Sequence, residues 1–310
     1  PCMLRLDAFS EGCGTAAPAS WIRSTGLRPL SGSSSTRSLS MTVVAWADMG
    51  ESCHEWETPR IAANDFDVVV IGAGPAGEHC AARLADAGQR VAIVERGLVG
   101  GECDYWACIP SKTLLRPGEA LQAAREAPGA REAVDGDVRP EPAFAWRDFM
   151  VSNYEDGAKV DWLEGAGITF LRGDGRLAGP GRVEVDGKGY GTAHVVIATG
   201  SDAVVPPVPG LDGLEGVWTN REVTALTEVP RRMVVLGGGP VGVEMAQAVH
   251  RLGASVALVE GSDHLLPREP KPLGAVLGEA FEADGIELHL GEHATAVRRD
   301  GDEYVVELPS

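Results

Sequence analysis

The sequence has few positive charges and no long apolar run. Its 27 lysines and arginines stand against 45 aspartates and glutamates, which gives a formal net charge of −18. This shortage of basic residues argues against a nucleic-acid partner, because phosphates need positive side chains to neutralise them. No apolar stretch approaches the ~20 residues needed to span a bilayer. We therefore expect a soluble protein that binds neither nucleic acid nor membrane.

Cysteine is also scarce, with six residues in a chain of 310. A secreted disulfide framework suits short chains with small cores, whereas this length favours about two domains, each with its own core. No clear signal peptide is visible, so we expect a reducing compartment, the cytoplasm. Cys80 lies in a helical pattern and is interpreted as a small buried thiol. The cysteines are Cys2, Cys13, Cys53, Cys80, Cys103 and Cys108.

The first 60 residues differ from the rest of the chain. They include a serine-rich tract at 31–38 and show no sustained periodicity. Residues 21–47 carry three arginines and no acid, a composition that resembles an organelle transit peptide. We favour the alternative that residues 1–60 are a disordered leader or non-native upstream sequence, with Met41 as a plausible start.

Two copies of one strand–helix–strand pattern follow. In each copy a short apolar strand leads into spaced glycines, a helical pattern and a second apolar strand that ends in glutamate. Glu95 and Glu260 end these second strands, each 23 positions after the first glycine of its copy. A single match to this glycine spacing is weak, but two matched copies are strong. The glycines are Gly72, Gly74 and Gly77 in the first copy, and Gly237, Gly239 and Gly242 in the second.

This pattern predicts two dinucleotide sites. The first glycine makes the turn, the second lets the backbone approach a pyrophosphate, and the third lets helix and strand pack closely. The phosphates would lie at the helix N-terminus, where free N–H groups favour negative charge. Glu95 and Glu260 would accept hydrogen bonds from a ribose. At the second site the carboxylate would repel the 2′-phosphate of NADP, so NAD(H) is favoured over NADP(H).

Cys103 and Cys108 form a close pair between the two copies. We interpret them as a redox dithiol. The alternative, structural zinc, needs four ligands, and no second pair with suitable spacing is present, so no metal is expected. The pair opens a predicted helix, where a thiol has a depressed pKa. Lys112 would add positive charge nearby; the alternative is an ordinary exposed lysine.

The proline-rich segment at 206–210 reads as a stiff linker. We therefore expect a first nucleotide-binding domain at 61–211, which carries the cysteine pair, and a second at 212–310. The fold class predicted is α/β, with two Rossmann-like dinucleotide-binding domains, each a parallel sheet with helices plus a small antiparallel β-meander. The aromatic residues expected to cover the first sheet are Trp146, Phe149, Tyr154 and Trp162.

Four segments, in this order and spacing, carry a family resemblance. They are 72–77, which includes Pro75 and Ala76, the box 100–112, the segment 197–201, and 237–244. With them the chain resembles the first two-thirds of the FAD-dependent pyridine nucleotide-disulfide oxidoreductases. The resemblance implies electron transfer between NAD(P)H, FAD and a Cys103–Cys108 disulfide, to or from a disulfide or dithiol substrate. It also implies a homodimer for the full-length form.

The resemblance implies a role for each matched residue. Cys103 would be the interchange thiol and Cys108 the charge-transfer thiolate, while Lys112 would pair with Glu244 near the nicotinamide. The implied NAD(P)H-site residues are Gly237, Gly239, Gly242 and Glu260. The implied FAD-site residues are Gly72, Gly74, Pro75, Ala76, Gly77, Glu95, Gly101, Lys112, Ala198, Thr199 and Gly200.

Two departures from the family pattern leave alternatives open. The usual hydrophobic residue, asparagine and glycine of the box are replaced by Asp104, Tyr105 and Ala107. Tyr105 and Trp106 either narrow a substrate channel or pack against the flavin domain. The chain also ends before the family's last nicotinamide-domain strand and interface domain, so we assign no catalytic base. The alternative functions are a metal-ion reductase and a catalytically incomplete FAD-binding fragment.

Overall fold

The computed structural model describes residues 66–301 and 303–309. The expectations for the leader at 1–60 lie outside the described residues, as do Cys2, Cys13 and Cys53. In the described part, no helix combines the length and the apolar character that a membrane crossing requires.

The first sheet has six strands in the order β3-β2-β1-β6-β5-β4. Strands β3, β2, β1 and β6 are parallel, whereas β6, β5 and β4 form an antiparallel meander. The last four residues of β1 are buried, as expected for a central strand covered on both faces. The predicted α/β class with a meander is confirmed. The strands are β1 (Phe66–Ile71), β2 (Val91–Glu95), β3 (Thr169–Arg172), β4 (Gly175–Leu177), β5 (Arg182–Val185) and β6 (Lys188–Ile197).

Strand β6 belongs to both parts of this sheet. Its first four residues pair with β5, and the stretch from Thr192 to Ile197 pairs with β1. Its carboxyl end therefore lies beside the carboxyl end of β1, where the first glycine turn begins.

Helices cover the first sheet and extend beyond it. Helix α1 starts at Pro75, directly after the turn, where a residue without an N–H costs nothing. The short α2 carries Cys103, and the long α3 begins at Cys108. The helices are α1 (Pro75–Asp86), α2 (Gly101–Tyr105), α3 (Cys108–Glu126), α4 (Pro140–Met150) and α5 (Gly157–Gly165).

The second copy forms a smaller parallel sheet in the order β7-β8-β9. Helix α7 starts at Pro240, so both copies share the same glycine–proline helix start. A separate antiparallel hairpin, β10–β11, follows. The elements are α6 (Asn220–Thr224), β7 (Arg232–Leu236), α7 (Pro240–Arg251), β8 (Ser255–Glu260), α8 (Lys271–Asp284), β9 (Glu287–Leu290), β10 (Ala296–Asp300) and β11 (Glu303–Glu307).

One apolar core joins the two copies. It packs Leu114 of α3 and Phe144 of α4 against Val249 of α7 and Leu258 of β8. Burying one such side chain stabilises the fold by about 1.5–3 kcal/mol. The core thus draws residues from both sides of the boundary predicted at 211/212, and it fixes α3 against α7.

The prediction that four aromatic residues cover the sheet is wrong for three of them. Phe149 is 74% exposed, and Trp162 and Trp146 are also exposed. Helix α4 turns Phe144 and Arg147 inward, which places Phe149 on the opposite side of the helix. The buried Arg147 lies on the inward face together with Phe144, and a hydrophobicity pattern does not predict a buried arginine.

We predict that Gly242→Ala lowers the free energy of unfolding by about 1–3 kcal/mol through overpacking. A Cβ there would lie 1.9 Å from the carbonyl oxygen of Gly237. The matched control is Gly239→Ala, at the N-cap of α7, where a Cβ meets nothing within 4 Å. We expect the control to cost less than about 1 kcal/mol. Urea unfolding followed by circular dichroism measures both, and equal losses would contradict the close approach.

Candidate active site

The first glycine turn is shaped by contacts that exclude side chains. Gly72 has a φ of +103°, and a Cβ on it would lie 2.2 Å from the carbonyl oxygen of Ala198. A Cβ on Gly77 would lie 1.9 Å from the carbonyl oxygen of Gly72. By contrast, a Cβ on Gly74 would meet no protein atom within 4 Å. The middle glycine therefore borders open space at the start of α1, where the motif needs room for a ligand.

The second turn repeats this geometry. Gly237 has a φ of +109°, and Gly242 packs on its carbonyl oxygen as Gly77 does on that of Gly72. A Cβ on Gly239 again meets no protein atom within 4 Å. Both copies thus combine a positive-φ first glycine, a middle glycine that borders open space and a third glycine in close backbone contact.

The two glutamates are held in the same way. Glu95 accepts hydrogen bonds from the backbone N–H groups of Ala73 at 2.9 Å and Gly97 at 2.7 Å. Glu260 accepts from Gly238 at 2.7 Å and Ser262 at 2.8 Å. An ionised carboxylate offers about four acceptor positions. Each glutamate therefore keeps lone pairs that can accept further hydrogen bonds.

The residues at the first turn fit a dinucleotide such as FAD. A Cβ on Gly101 would lie 2.9 Å from the Cα of Gly74, so α2 abuts the start of α1. The backbone N–H of Ala198 donates to the carbonyl of Ile71 at 2.8 Å, which fixes the Ala198–Gly200 segment beside the turn. Thr199 and Gly200 are exposed there. The open space, the free acceptors of Glu95 and this exposed segment lie at one sheet edge, as the motif requires.

The two box cysteines lie on different helices. Cys103 is in α2 and Cys108 is the first residue of α3, and both are free thiols. Cys108 is exposed, whereas Cys103 is only partly so. The expected helix N-terminal position thus holds for Cys108 alone.

The expected depressed pKa is wrong for Cys103. Partial burial and a hydrogen bond to the Cys108 thiol raise the pKa of Cys103 to about 11, and the charges of Cys108 and Asp104 add to the effect. A second thiolate beside an existing negative charge is unfavourable. Cys103 therefore stays a thiol at neutral pH when both cysteines are reduced.

Lys112 and Glu244 form the ion pair implied by the resemblance. The Lys112 ammonium lies 2.6 and 2.7 Å from the two carboxylate oxygens of Glu244. The residues are 132 positions apart in sequence, so only the folded chain brings them together. Lys112 is thus not an unpartnered surface lysine.

Two contacts show the relative direction of α3 and α7. Lys112 and Glu244 are each the fifth residue of their helix, α3 and α7. Near the other end, a Cβ on Gly118 would lie 2.7 Å from Cδ of Arg251. The two helices therefore run side by side in the same direction. Their shared N-terminal end carries Cys108 and the second glycine turn.

The aromatic pair of the box, Tyr105 and Trp106, packs against residues of other segments. Tyr105 is 2% exposed, and its hydroxyl donates to the carbonyl oxygen of Val99 at 3.1 Å. Trp106 stacks on Tyr154 with ring centroids 4.8 Å apart, and the Arg221 guanidinium lies 5.6 Å from the Trp106 centroid. Both residues thus make the packing contacts that one of the two interpretations expects.

Tyr154 ends a strained turn. Ser152, Asn153 and Tyr154 have φ values of +52°, +51° and +59°. Each left-handed residue of this kind costs about 1–2 kcal/mol. The strain is held by packing against the box, since Trp106 stacks on Tyr154 and Tyr105 contacts the carbonyl of Glu155 at 3.4 Å.

Sequence reasoning missed the residues that anchor the box from other elements. Asn220 of α6 donates to Glu102 and to the carbonyl of Trp106, both at 2.9 Å. Arg147, 1% exposed, donates to the carbonyls at the end of α6, including that of Leu226 at 2.7 Å. The one available signal was a charged residue within the inward face of α4.

The part of the chain that the structure describes contains no preformed metal site. No group of three or more histidine, cysteine, aspartate or glutamate side chains is arranged there to hold an ion.

A dithiol placed between two dinucleotide turns defines a nucleotide-dependent disulfide oxidoreductase. The family model described as Pyridine nucleotide-disulphide oxidoreductase matches residues 66–310. The chain belongs to this family, whose members are enzymes that use FAD and a pyridine nucleotide.

Relatives and solved structures agree with this assignment. The chain is 35% identical over 238 residues to a dihydrolipoyl dehydrogenase of Thermus scotoductus, covering 76% of this chain and 51% of the relative. It is 32% identical to a mercuric reductase of Bacillus cereus, covering 77% of this chain and 38% of the relative. The HOCl-induced flavoprotein disulfide reductase RclA from Escherichia coli matches with a TM-score of 0.68 and 26% identity, over 78% of this chain and 53% of that one. The chain thus spans about half the length of several of these proteins.

We predict that Cys108→Ser lowers the pKa of Cys103. The variant removes the neighbouring thiol and its charge, which together raise that pKa, and leaves burial and Asp104. In the reduced protein, iodoacetamide labelling of the Cys103 peptide, measured by mass spectrometry between about pH 7 and 10, should rise at lower pH in the variant. Cys80→Ser, which removes the third described free thiol, is the control. Identical curves for the wild type and Cys108→Ser would contradict the coupling.

Proposed function

We propose that the protein containing this chain is a flavoprotein oxidoreductase with a redox-active Cys103–Cys108 disulfide. It would pass electrons between NAD(P)H, FAD and this disulfide, to or from a disulfide or dithiol substrate. The observation that carries the proposal is the parallel alignment of α3 and α7. It puts Cys108 and the second glycine turn at one end of a helix pair joined by Lys112 and Glu244.

The chain's own residues have separable tasks in this proposal. The turn around Gly72, with Glu95, would hold FAD, which supplies two-electron chemistry between nicotinamide and thiols when bound. Lys112, oriented by Glu244, would place a positive charge beside the cofactor. Cys103, protonated at neutral pH, would keep its proton until a substrate sulfur approaches, while Cys108 would face the cofactor.

The proposed substrate class follows from the proteins to which this chain is similar. Dihydrolipoyl dehydrogenases are among the similar proteins, so we favour a dihydrolipoyl dehydrogenase-like reaction. A metal-ion reductase is the second candidate, because mercuric reductases are also similar and RclA was solved as a Cu(II) complex. Steady-state rates with lipoamide, low-molecular-weight disulfides and Hg(II) separate the two. By the same resemblance we propose a homodimer in the cytoplasm.

A reductive titration tests the electron path. We expect the flavin-loaded protein to take up four electrons per FAD, two for the flavin and two for the disulfide. A long-wavelength absorbance band should appear at the two-electron stage and be absent in Cys108→Ser. Uptake of two electrons by wild type and variant alike would reject the disulfide mechanism and favour the incomplete FAD-binding fragment.

NADH should be the better nucleotide. The carboxylate of Glu260 is fixed by Gly238 and Ser262 at the predicted ribose position, and like charges in an interface are costly. We expect kcat/KM for NADH to exceed that for NADPH by at least about tenfold, equivalent to about 1.4 kcal/mol. Glu260→Gln should narrow the ratio. A preference for NADPH in the wild type would refute this assignment.

A further inference from the structure

A partly buried ion network joins the redox box through Asp104. The Lys159 ammonium of α5 is 2.6 Å from the Asp104 carboxylate of α2 and 3.1 Å from the Glu78 carboxylate of α1. Glu78 is only 8% exposed. Because an unpaired buried carboxylate is costly, Lys159 must stay between the two acids. The network thus ties the cofactor helix α1 to the helix that carries Cys103.

We propose that Asp104, held by Lys159 and Glu78, is a positioning residue that sets the protonation and redox balance of the Cys103–Cys108 pair. The proposal rests on the redox function argued above and adds to it. Asp104 stands where the resembling family has a hydrophobic residue, so this charge is a feature of the present chain. Its carboxylate follows Cys103 directly in the short helix α2.

The charges around Cys103 can be assigned one by one. Cys108 approaches from α3, and both it and Asp104 make loss of the Cys103 proton harder. Lys159 offsets part of the Asp104 charge from α5, and is itself shared with Glu78. On the other side Glu102 is neutralised by Arg221 of α6. Asp104 is therefore the acid of this segment whose charge helps to raise the pKa of Cys103, and Lys159 is its ion-pair partner.

The chemical step shows why this matters. Reduction breaks the Cys103–Cys108 S–S bond with two electrons from NAD(P)H, relayed by FAD in the proposed function. If Cys108 leaves as thiolate and Cys103 is kept as a thiol, the step takes up one proton, at Cys103. Disfavouring the second thiolate makes the dithiol less stable at higher pH, and hence a stronger reductant.

Three substitutions test the proposal through the sign of their effects. Asp104→Asn should lower the pKa of Cys103 because it removes a neighbouring negative charge. Glu78→Gln should also lower that pKa, because the positive charge of Lys159 is then no longer shared with Glu78. Lys159→Gln should raise it, because Asp104 is then uncompensated. We expect shifts of roughly threefold in the ionisation constant, the size of one screened charge. Lys159→Arg should restore the wild-type curve.

The readouts are the pH dependence of Cys103 alkylation in the reduced protein and the midpoint potential of the pair in glutathione buffers. At about pH 11, where Cys103 ionises, Asp104→Asn should raise the potential by less than about 30 mV, the value of a tenfold change for two electrons. At pH 7, where Cys103 stays a thiol, the same variant should leave the potential unchanged. Shifts of the same sign in all three variants, or no shift in any of them, would overturn the proposal. The ion network would then only stabilise the structure. If diamide forms no Cys103–Cys108 disulfide in the wild type, the proposed function itself fails, so the two failures are distinguishable.

Discussion

The contact between α3 and α7 is the constraint on which the site depends. Leu114 and Val249 belong to the core that joins the two copies, and Lys112 meets Glu244 at its edge. Cys108 begins α3 and the second glycine turn precedes α7, so the parallel direction of the helices places both at the same end. An antiparallel arrangement of the same helices would carry Cys108 away from the second glycine turn by the length of a helix.

Local patterns were sufficient to predict the two nucleotide units. Glycine at 72 and 237, buried β-branched strands and terminal glutamates each act over a few residues, so their spacing translates directly into geometry. The orientation of α4 was not predictable in this way. Arg147 is buried because carbonyls at the end of α6, far along the chain, accept its protons, and periodicity treats an arginine as a surface residue.

The redox box, too, was only partly predictable from the sequence. Its cysteine spacing and the start of α3 follow from the sequence, whereas the protonation of Cys103 depends on neighbours brought in by folding. A helix N-terminus lowers a thiol pKa, but burial and the adjacent Cys108 act in the opposite direction and are larger here. The roles of Tyr105 and Trp106 were undecided for the same reason, because Tyr154 reaches them through a left-handed turn that no motif encodes.

The long sequence separations at the site have a consequence for how the chain folds. Lys112 and Glu244 are 132 residues apart, Glu102 and Asn220 are 118 apart, and Arg147 and Thr224 are 77 apart. Contacts of such separation form slowly, because loop closure must precede any gain from them. The local turns around Gly72 and Gly237 can form early, but the box gains its long-range contacts only when distant parts of the chain meet. The box therefore acquires its partners Asn220 and Arg221 only after more than two thirds of the chain has been synthesised.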